Sequence, residues 1–149
     1  MQFFQKKDKL ECPSCGKKAK SVSSRTLNAL LLQKAKSTLE YLDGFYYCKT
    51  PTCKTIYFRG QTLLTQEDMS IVVGLKEGAV PATLCYCFKW TEEKITNELI
   101  KTKKTEALED IKVKMKNPGC ACEVLNPSGR CCLSDTAKAI KKIKLELEI

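Results

Sequence analysis

Hydrophobic side chains recur at helical spacing in the first third of the chain. Their period of about 3.6 residues predicts a helix over roughly 27–41, which Asp43-Gly44 is expected to end. The side chains that share this period are Leu27, Leu30, Leu31, Ala35, Leu39 and Leu42.

The pattern then changes to short runs that are typical of strands. Residues 45–48 (FYYC) and 54–59 (KTIYFR) are separated by a short turn that contains Pro51, which predicts a β-hairpin with a cysteine at each rim. Residues 62–65 (TLLT) and 70–75 (SIVVGL) are expected to add further strands.

The next stretch lacks a regular pattern and is interrupted by Gly74, Gly78 and Pro81. We therefore divide the chain into an α+β lobe, residues 1–80, and a second lobe, residues 81–149, in which helical patterns dominate. The predicted fold class is α+β.

The second lobe begins with a well-marked helix start. Thr91 is a suitable N-cap, and Glu92 and Glu93 place negative charge in the first turn. Trp90, which precedes the cap, is positioned to pack on Ile95 as a hydrophobic staple.

Two more helices are predicted after it. Thr105 is expected to open the first of them and residues 117–119 (NPG) to stop it. Ser134 is expected to cap the second. The side chains expected to share one face are Leu108, Ile111 and Met115 in the former, and Ala137, Ile140, Lys144 and Leu147 in the latter.

Cysteine content changes the picture from a small mixed fold to a metalloprotein. The 149 residues include 10 cysteines and no histidine, and the cysteines form five close pairs: Cys12/Cys15, Cys48/Cys53, Cys85/Cys87, Cys120/Cys122 and Cys131/Cys132. Thiolate is the soft ligand of zinc, copper(I) and iron–sulfur clusters. Without imidazole, Rieske clusters, His-based zinc catalysis and Ser-His or Cys-His nucleophiles are excluded. Because no phosphate loop or catalytic carboxylate pair is recognisable either, we do not expect an enzyme.

A disulfide framework is the competing explanation for so many cysteines. It belongs to short secreted chains, whereas residues 1–11 (MQFFQKKDKLE) contain no apolar signal core. No run approaches the roughly 18 apolar residues of a membrane span. We therefore expect a cytoplasmic protein with reduced cysteines and no membrane segment.

The net charge of +9 is concentrated in residues 1–60, where 12 basic and 4 acidic side chains give +8. A basic zinc module is compatible with nucleic-acid binding, which would be strongly salt-dependent. The lysines are scattered, however, and no aromatic stacking platform is evident. We therefore interpret the charge as a solubilising surface and do not expect nucleic acid as a partner.

The first two cysteine pairs predict a closed metal site. In Cys12-Pro13-Ser14-Cys15-Gly16 the two sulfurs can face one ion, and glycine permits the positive φ of the turn. Cys48 and Cys53 on the hairpin supply two more thiolates, which completes a tetrahedral, structural shell. Zinc is the favoured ion, although a rubredoxin-like iron has similar geometry.

The remaining cysteines suggest a 2Fe–2S cluster, which ordinarily takes four thiolates. Cys85 and Cys87 are two of the candidates. The spacing leaves open which members of Cys120/Cys122 and Cys131/Cys132 join them. Residues 126–130 (NPSGR) are expected to offer N–H donors to the cluster sulfurs. A second zinc site or a copper(I) thiolate site is the alternative.

At this point the chain resembles a known family, the N-terminal domain of CopZ-type copper chaperones. The matching landmarks are CPSCG (12–16), the FYYC-x4-C-x-x-IYF run (45–58), VGLKE (73–77), CYC (85–87) and NPSGRCC (126–132). The resemblance implies a zinc site together with a 2Fe–2S cluster on Cys85, Cys87, Cys122 and Cys132. The cluster module is also similar to bacterioferritin-associated ferredoxins, in which a helix–turn–helix carries the cluster.

One departure from the family matters for function. CopZ proteins deliver copper through a further domain with an M-x-C-x-x-C loop, and no such motif occurs here, since Leu10 stands where the methionine would be. The resemblance therefore implies electron transfer or Cu(II) reduction for a partner, either a separate metal-binding domain or a copper-transporting ATPase. Cys120 and Cys131 are candidates for transient Cu(I) binding. The alternative is a ferredoxin-like electron carrier unrelated to copper, serving iron storage or another redox partner.

Overall fold

A computed structural model of the protein describes residues 9–149, apart from the side chains of Lys9 and Pro118. The prediction that the N-terminus contains no apolar signal core rests mainly on residues 1–8, which lie outside the described residues. The first lobe contains an antiparallel sheet of five strands in chain order, with two short helices inserted after the second strand. These elements are β1 (Lys9–Glu11), β2 (Lys18–Ser21), α1 (Ser24–Leu30), α2 (Gln33–Ser37), β3 (Tyr46–Tyr47), β4 (Tyr57–Arg59) and β5 (Thr62–Leu64). The predicted α+β class is confirmed.

The single helix predicted over 27–41 is wrong, because the chain is broken between α1 and α2. Leu31 is extended and forms an isolated β-bridge with Met69. On either side of it, the Leu32 N–H donates to Asp68 O at 2.9 Å and the Ser70 N–H donates to Leu30 O at 2.8 Å. The leucines with helical spacing still lie in the core or pack against it, but Leu31 reaches the core through this pairing rather than from a helix face.

The hairpin is confirmed as β3 and β4, with Tyr47 opposite Tyr57, and residues 62–65 contribute β5. The strand predicted over 70–75 is wrong, because that segment is fixed by other contacts: the Val73 N–H donates to Gln66 Oε1 at 2.9 Å. Gly74 lies against the backbone of a later segment, and a β-carbon there would be 2.2 Å from the nitrogen of Thr83. Only glycine permits this close approach.

The second lobe is a two-stranded ribbon followed by four helices. Its elements are β6 (Thr83–Cys85), β7 (Trp90–Thr91), α3 (Glu92–Thr102), α4 (Ala107–Lys114), α5 (Cys122–Leu125) and α6 (Leu133–Leu147). The predicted cap of α3 is confirmed, since the Thr91 hydroxyl accepts the Lys94 N–H at 3.1 Å. Among residues 9–149, no helix is long and apolar enough to cross a membrane.

Two predicted helix starts are displaced in the structure. Helix α4 begins at Ala107, two residues after Thr105, whose hydroxyl accepts the Ala107 N–H at 3.2 Å. Ser134 does not cap α6, because the helix begins at Leu133 and Cys132 is its N-cap. The buried residues of α6 are Thr136, Ile140 and Ile143, of which only Ile140 belongs to the predicted face.

The two lobes contact each other through buried hydrogen bonds. The Tyr57 hydroxyl on β4 donates to Pro127 O at 2.5 Å, and the Thr26 hydroxyl on α1 donates to Glu123 O at 2.5 Å. Gly129 has a φ of +70°, and a β-carbon there would lie 2.6 Å from Thr26 Oγ1. The loop before α6 is therefore packed on the first lobe. The division of the chain into two lobes at residue 80 stays a prediction.

Candidate metal centres

The first centre begins with the tight turn between β1 and β2. The Gly16 N–H donates to Cys12 O at 2.8 Å, and the Cys12 N–H donates to Lys17 O at 2.8 Å. Gly16 has a φ of +76°, as its place after the second cysteine predicts. The turn holds both sulfurs of this pair on one side.

The second pair lies in the turn between β3 and β4. The Cys48 N–H donates to Ile56 O at 2.8 Å, and the Cys53 N–H donates to Thr50 O at 3.1 Å. This turn is also held from outside, because Lys76 Nζ donates to Thr50 O at 2.9 Å and to Thr55 O at 2.8 Å.

The two turns bring four sulfurs into one cluster: Cys12, Cys15, Cys48 and Cys53, whose Sγ atoms all lie within 4.8 Å of one another. The Cys12–Cys53 and Cys15–Cys48 separations are 4.0 and 3.7 Å. Zn–S bonds of about 2.3 Å in a tetrahedron require sulfurs about 3.8 Å apart. The donor set fits zinc, and its four ligand positions are all thiolates, three of them buried.

Hydrogen bonds prepare one of these thiols for metal binding. Burial raises the pKa of Cys15, but hydrogen bonds with the Thr50 side chain, the Lys17 backbone and the neighbouring thiols outweigh it and lower the pKa to about 6. Burial has the larger effect at Cys48, where it raises the pKa to about 12. In the absence of metal, Cys15 therefore forms a thiolate readily, whereas Cys48 resists deprotonation.

The second set of cysteines comes from three separate elements. Cys85 ends β6, and Cys87 lies in the turn that follows. Cys122 is the first residue of α5, and Cys132 is the N-cap of α6. Cys85, Cys122 and Cys132 are buried and Cys87 is half-buried.

The sulfurs of this second set meet as two pairs. The Cys87 and Cys122 Sγ atoms are 3.6 Å apart, similar to the pairs in the first centre. Cys85 and Cys132 are in hydrogen-bond contact. Within residues 9–149, only the first centre has three or more candidate ligand atoms mutually within 4.8 Å. The second set is therefore too widely spread to be the shell of one ion.

Backbone amides surround these sulfurs, but they are not the amides that the sequence predicted. The Ala121 N–H donates to Cys87 Sγ at 3.2 Å, and the Cys132 N–H donates to Cys122. The amides of residues 128–130 bond instead within their own loop. That loop is a rigid support rather than a source of N–H groups for sulfur.

The hydrogen bond between Cys85 and Cys132 gives these two buried thiols very different pKa values. The hydrogen bond from Cys132 is the main reason that the pKa of Cys85 falls to about 7. In return, that hydrogen bond, together with burial, raises the pKa of Cys132 well above its ordinary range. Burial raises the pKa of Cys122 to about 12. Each lobe thus contains one thiol with a lowered pKa, Cys15 in the first lobe and Cys85 in the second.

Cys120 and Cys131 differ from the other eight cysteines because they are exposed. All ten cysteines lie within the described residues and are free thiols. The sulfur separations of 3.6 to 4.0 Å within three of the cysteine pairs are far beyond the roughly 2.05 Å of a disulfide bond.

Two residues that sequence reasoning assigned no role support the centres. Lys76 fixes the turn of the second cysteine pair, as described above. Tyr86 lies between Cys85 and Cys87, and its hydroxyl accepts the Gly74 N–H at 2.7 Å and donates to Val72 O at 3.2 Å. Their only signal in the sequence is position, Lys76 in the VGLKE run and Tyr86 within CYC, because neither residue type is itself a metal ligand in this fold.

Comparisons with known proteins agree with this arrangement. Residues 9–70 match the family model of the CopZ zinc binding domain. The copper chaperone CopZ of Archaeoglobus fulgidus is 29% identical over 149 aligned residues, which cover 93% of this chain and 71% of that protein. The X-ray structure of the A. fulgidus CopZ N-terminal domain has a TM-score of 0.72 and 31% identity, covering 87% of this chain and 96% of that domain. The chain belongs to the family of CopZ N-terminal domains.

Proposed function

We propose that this protein handles copper as a redox accessory, with structural zinc on Cys12, Cys15, Cys48 and Cys53 and a 2Fe–2S cluster on Cys85, Cys87, Cys122 and Cys132. It binds metals and transfers electrons, and has no catalytic residues of its own. Its chemistry is the reduction of Cu(II) to Cu(I) for a copper-trafficking partner.

The observation that carries the proposal is the two-pair arrangement of the second set. A 2Fe–2S cluster has two irons, each of which takes two protein ligands. The 3.6 Å pair of Cys87 and Cys122 suits one iron, and the contact between Cys85 and Cys132 suits the other. A lone zinc ion would need all four sulfurs within one shell, which is the arrangement of the first centre and not of the second.

The surroundings of the second set suit electron transfer. A bound 2Fe–2S cluster supplies one-electron chemistry, with a potential set by hydrogen bonds to sulfur and by solvent exposure. The buried cysteines keep water from most of the site. Cys87 is half-buried and the Ala121 N–H donates to its sulfur, so this side of the site is both polar and near solvent. We expect electrons to leave there.

The copper assignment is supported by the relatives, since the matching protein of A. fulgidus is named a copper chaperone. The two exposed thiols, Cys120 and Cys131, are each within two residues of a proposed cluster ligand. They are our candidates for transient Cu(I) binding after reduction. The partner that receives Cu(I) is a separate metal-binding domain or a copper-transporting ATPase.

Metal analysis with an absorption spectrum tests the cluster. We expect about two irons, two sulfides and one zinc per chain, with a red-brown colour. The adjacent pair Cys131 and Cys132 offers a matched comparison: Cys132→Ser loses iron and colour, whereas Cys131→Ser keeps both. A colourless wild-type protein that contains only zinc would refute the cluster assignment.

Copper chemistry needs its own measurement. The reduced Cys120→Ser/Cys131→Ser variant, which lacks the two exposed thiols that could themselves reduce Cu(II), is mixed with Cu(II) under anaerobic conditions, and Cu(I) is recorded with a Cu(I)-specific chelator. We expect about one Cu(I) per cluster, because a 2Fe–2S centre transfers single electrons. If the cluster is intact but no Cu(I) forms, the copper role is wrong and a ferredoxin-like carrier unrelated to copper takes its place.

A further inference from the structure

The helix that follows the last cysteine pair contains an unpartnered buried hydroxyl. Thr136 on α6 is fully buried, with 0% exposure. Its Oγ1 is the only buried side-chain nitrogen or oxygen in the described part of the chain that has no hydrogen-bond partner. Buried polar groups are nearly always paired, so an orphaned hydroxyl calls for a partner that the polypeptide does not provide.

Helix geometry indicates where this hydroxyl lies. The Thr136 N–H donates to Cys132 O at 2.9 Å, so the two residues are one helical turn apart and on one face. Helical side chains lean toward the N-terminus, which places Thr136 over the turn that begins with Cys132. A helical threonine often donates to the carbonyl four residues earlier, but here Oγ1 does not.

The chemistry of the neighbourhood defines the missing partner. Cys132 is buried and its thiol contacts Cys85, so two proposed cluster ligands meet beside this turn. The core of this lobe also contains apolar side chains, including Ile140 and Ile143 on the same helix. The acceptor best suited to this position is therefore a sulfur of the bound group.

We propose that the Thr136 hydroxyl donates a hydrogen bond to a sulfur of the 2Fe–2S cluster and thereby raises its reduction potential. This inference rests on the cluster assignment made under the proposed function. A hydrogen bond to sulfur favours the reduced cluster, because that form carries one more negative charge. Thr136 is then a residue that tunes the potential without being a metal ligand.

Two substitutions separate the hydroxyl from the shape of the side chain. Thr136→Val keeps the branched shape and removes the donor, whereas Thr136→Ser keeps the donor and removes the methyl group. We expect Thr136→Val to lower the equilibrium constant for reduction about fivefold, which corresponds to about −40 mV for one electron. We expect Thr136→Ser to retain the wild-type potential. Redox titration followed by visible absorption measures both.

The stability of the metal-free protein provides the second signature. Without the cluster the hydroxyl has no partner, so Thr136→Val is expected to unfold at the same or a higher urea concentration than the wild type in chelator and reductant. If the role of Thr136 were purely structural, Thr136→Val would instead lower the stability of the protein and leave the reduction potential unchanged.

The outcomes distinguish this inference from the proposed function. Equal potentials for wild type and Thr136→Val, with full iron content in both, overturn the hydrogen bond and leave the cluster assignment intact; a trapped water would then be the partner. A wild-type protein without iron overturns both. If Thr136→Val does not assemble a cluster, Thr136→Ala repeats the titration without any additional methyl contact, and an unchanged potential there also refutes the proposal.

Discussion

Removing the hydrogen bond from Tyr57 to Pro127 is the most direct test of how the sheet supports the loop before α6. Tyr57 is fully buried on β4, and its hydroxyl donates to Pro127 O. Pro127 is also among the fully buried residues. Tyr57→Phe removes one oxygen atom and leaves that carbonyl without its partner.

The expected effect follows from the asymmetry of buried hydrogen bonds. Removing one partner costs the desolvation penalty of the group left behind, about 1–3 kcal/mol. With a urea slope of about 2 kcal/mol per molar, a loss of about 2 kcal/mol lowers the unfolding midpoint by about 1 M. The slope itself is expected to stay unchanged, because the variant buries almost the same surface.

The protein carries its own reporter for the distant lobe. Trp90 is the single tryptophan, is 7% exposed and packs in the core of the second lobe. We expect its fluorescence and the far-ultraviolet circular dichroism to show the same lowered midpoint in Tyr57→Phe. A change made in the sheet is then reported from the helical lobe.

Tyr47 provides the matched control. It lies opposite Tyr57 on β3, and its hydroxyl is neither hydrogen-bonded within residues 9–149 nor one of their buried unpaired oxygens. Tyr47→Phe is therefore expected to change stability by less than about 0.5 kcal/mol. The reasoning is refuted if the two variants behave alike, or if Tyr57→Phe shifts the dichroism midpoint without the tryptophan midpoint.

Two further predictions concern the zinc site. Lys76→Met removes the donor that holds the second cysteine turn, and we expect zinc to pass to a chromophoric chelator about tenfold faster. The exposed Lys54 in the same turn is the control, and Lys54→Met should match the wild type. In metal-free, reduced protein, alkylation of Cys15 should be slow below its pKa of about 6, where the thiol is protonated, and reach a plateau above about pH 7. Peptide mass mapping across pH checks this, and a midpoint near the roughly 8.5 of an unperturbed thiol would contradict it.

Local chemistry explains what was predictable from the sequence. The turn at Cys12 to Gly16 and the hairpin that carries Cys48 are specified by neighbouring residues, so their form follows from spacing and turn residues. The Thr91 cap is equally local, because its partner is three residues away. Features of this kind depend on few contacts distant in sequence.

The predictions that the structure contradicts failed because they depend on contacts between residues far apart in the sequence. Leu31 leaves the helical path because Met69, far along the chain, pairs with it as a strand partner. Thr136 is buried because α6 packs against α3, α4 and β6, which are distant in sequence, through the face that carries Thr136, Ile140 and Ile143. The difference in burial between Cys131, which is exposed, and Cys132, which is buried, is likewise not evident from two adjacent identical residues.

A continuous set of contacts joins the two centres and explains why both belong to one small protein. Lys76 Nζ binds two carbonyls of the turn that carries Cys48 and Cys53. Two residues before it, the Gly74 N–H donates to the hydroxyl of Tyr86, which lies between Cys85 and Cys87. A residue larger than glycine is excluded at position 74 by backbone contact, so this segment cannot move independently of β6. Residues 74–76 thus connect the turn that carries Cys48 and Cys53 to the turn that carries Cys85 and Cys87.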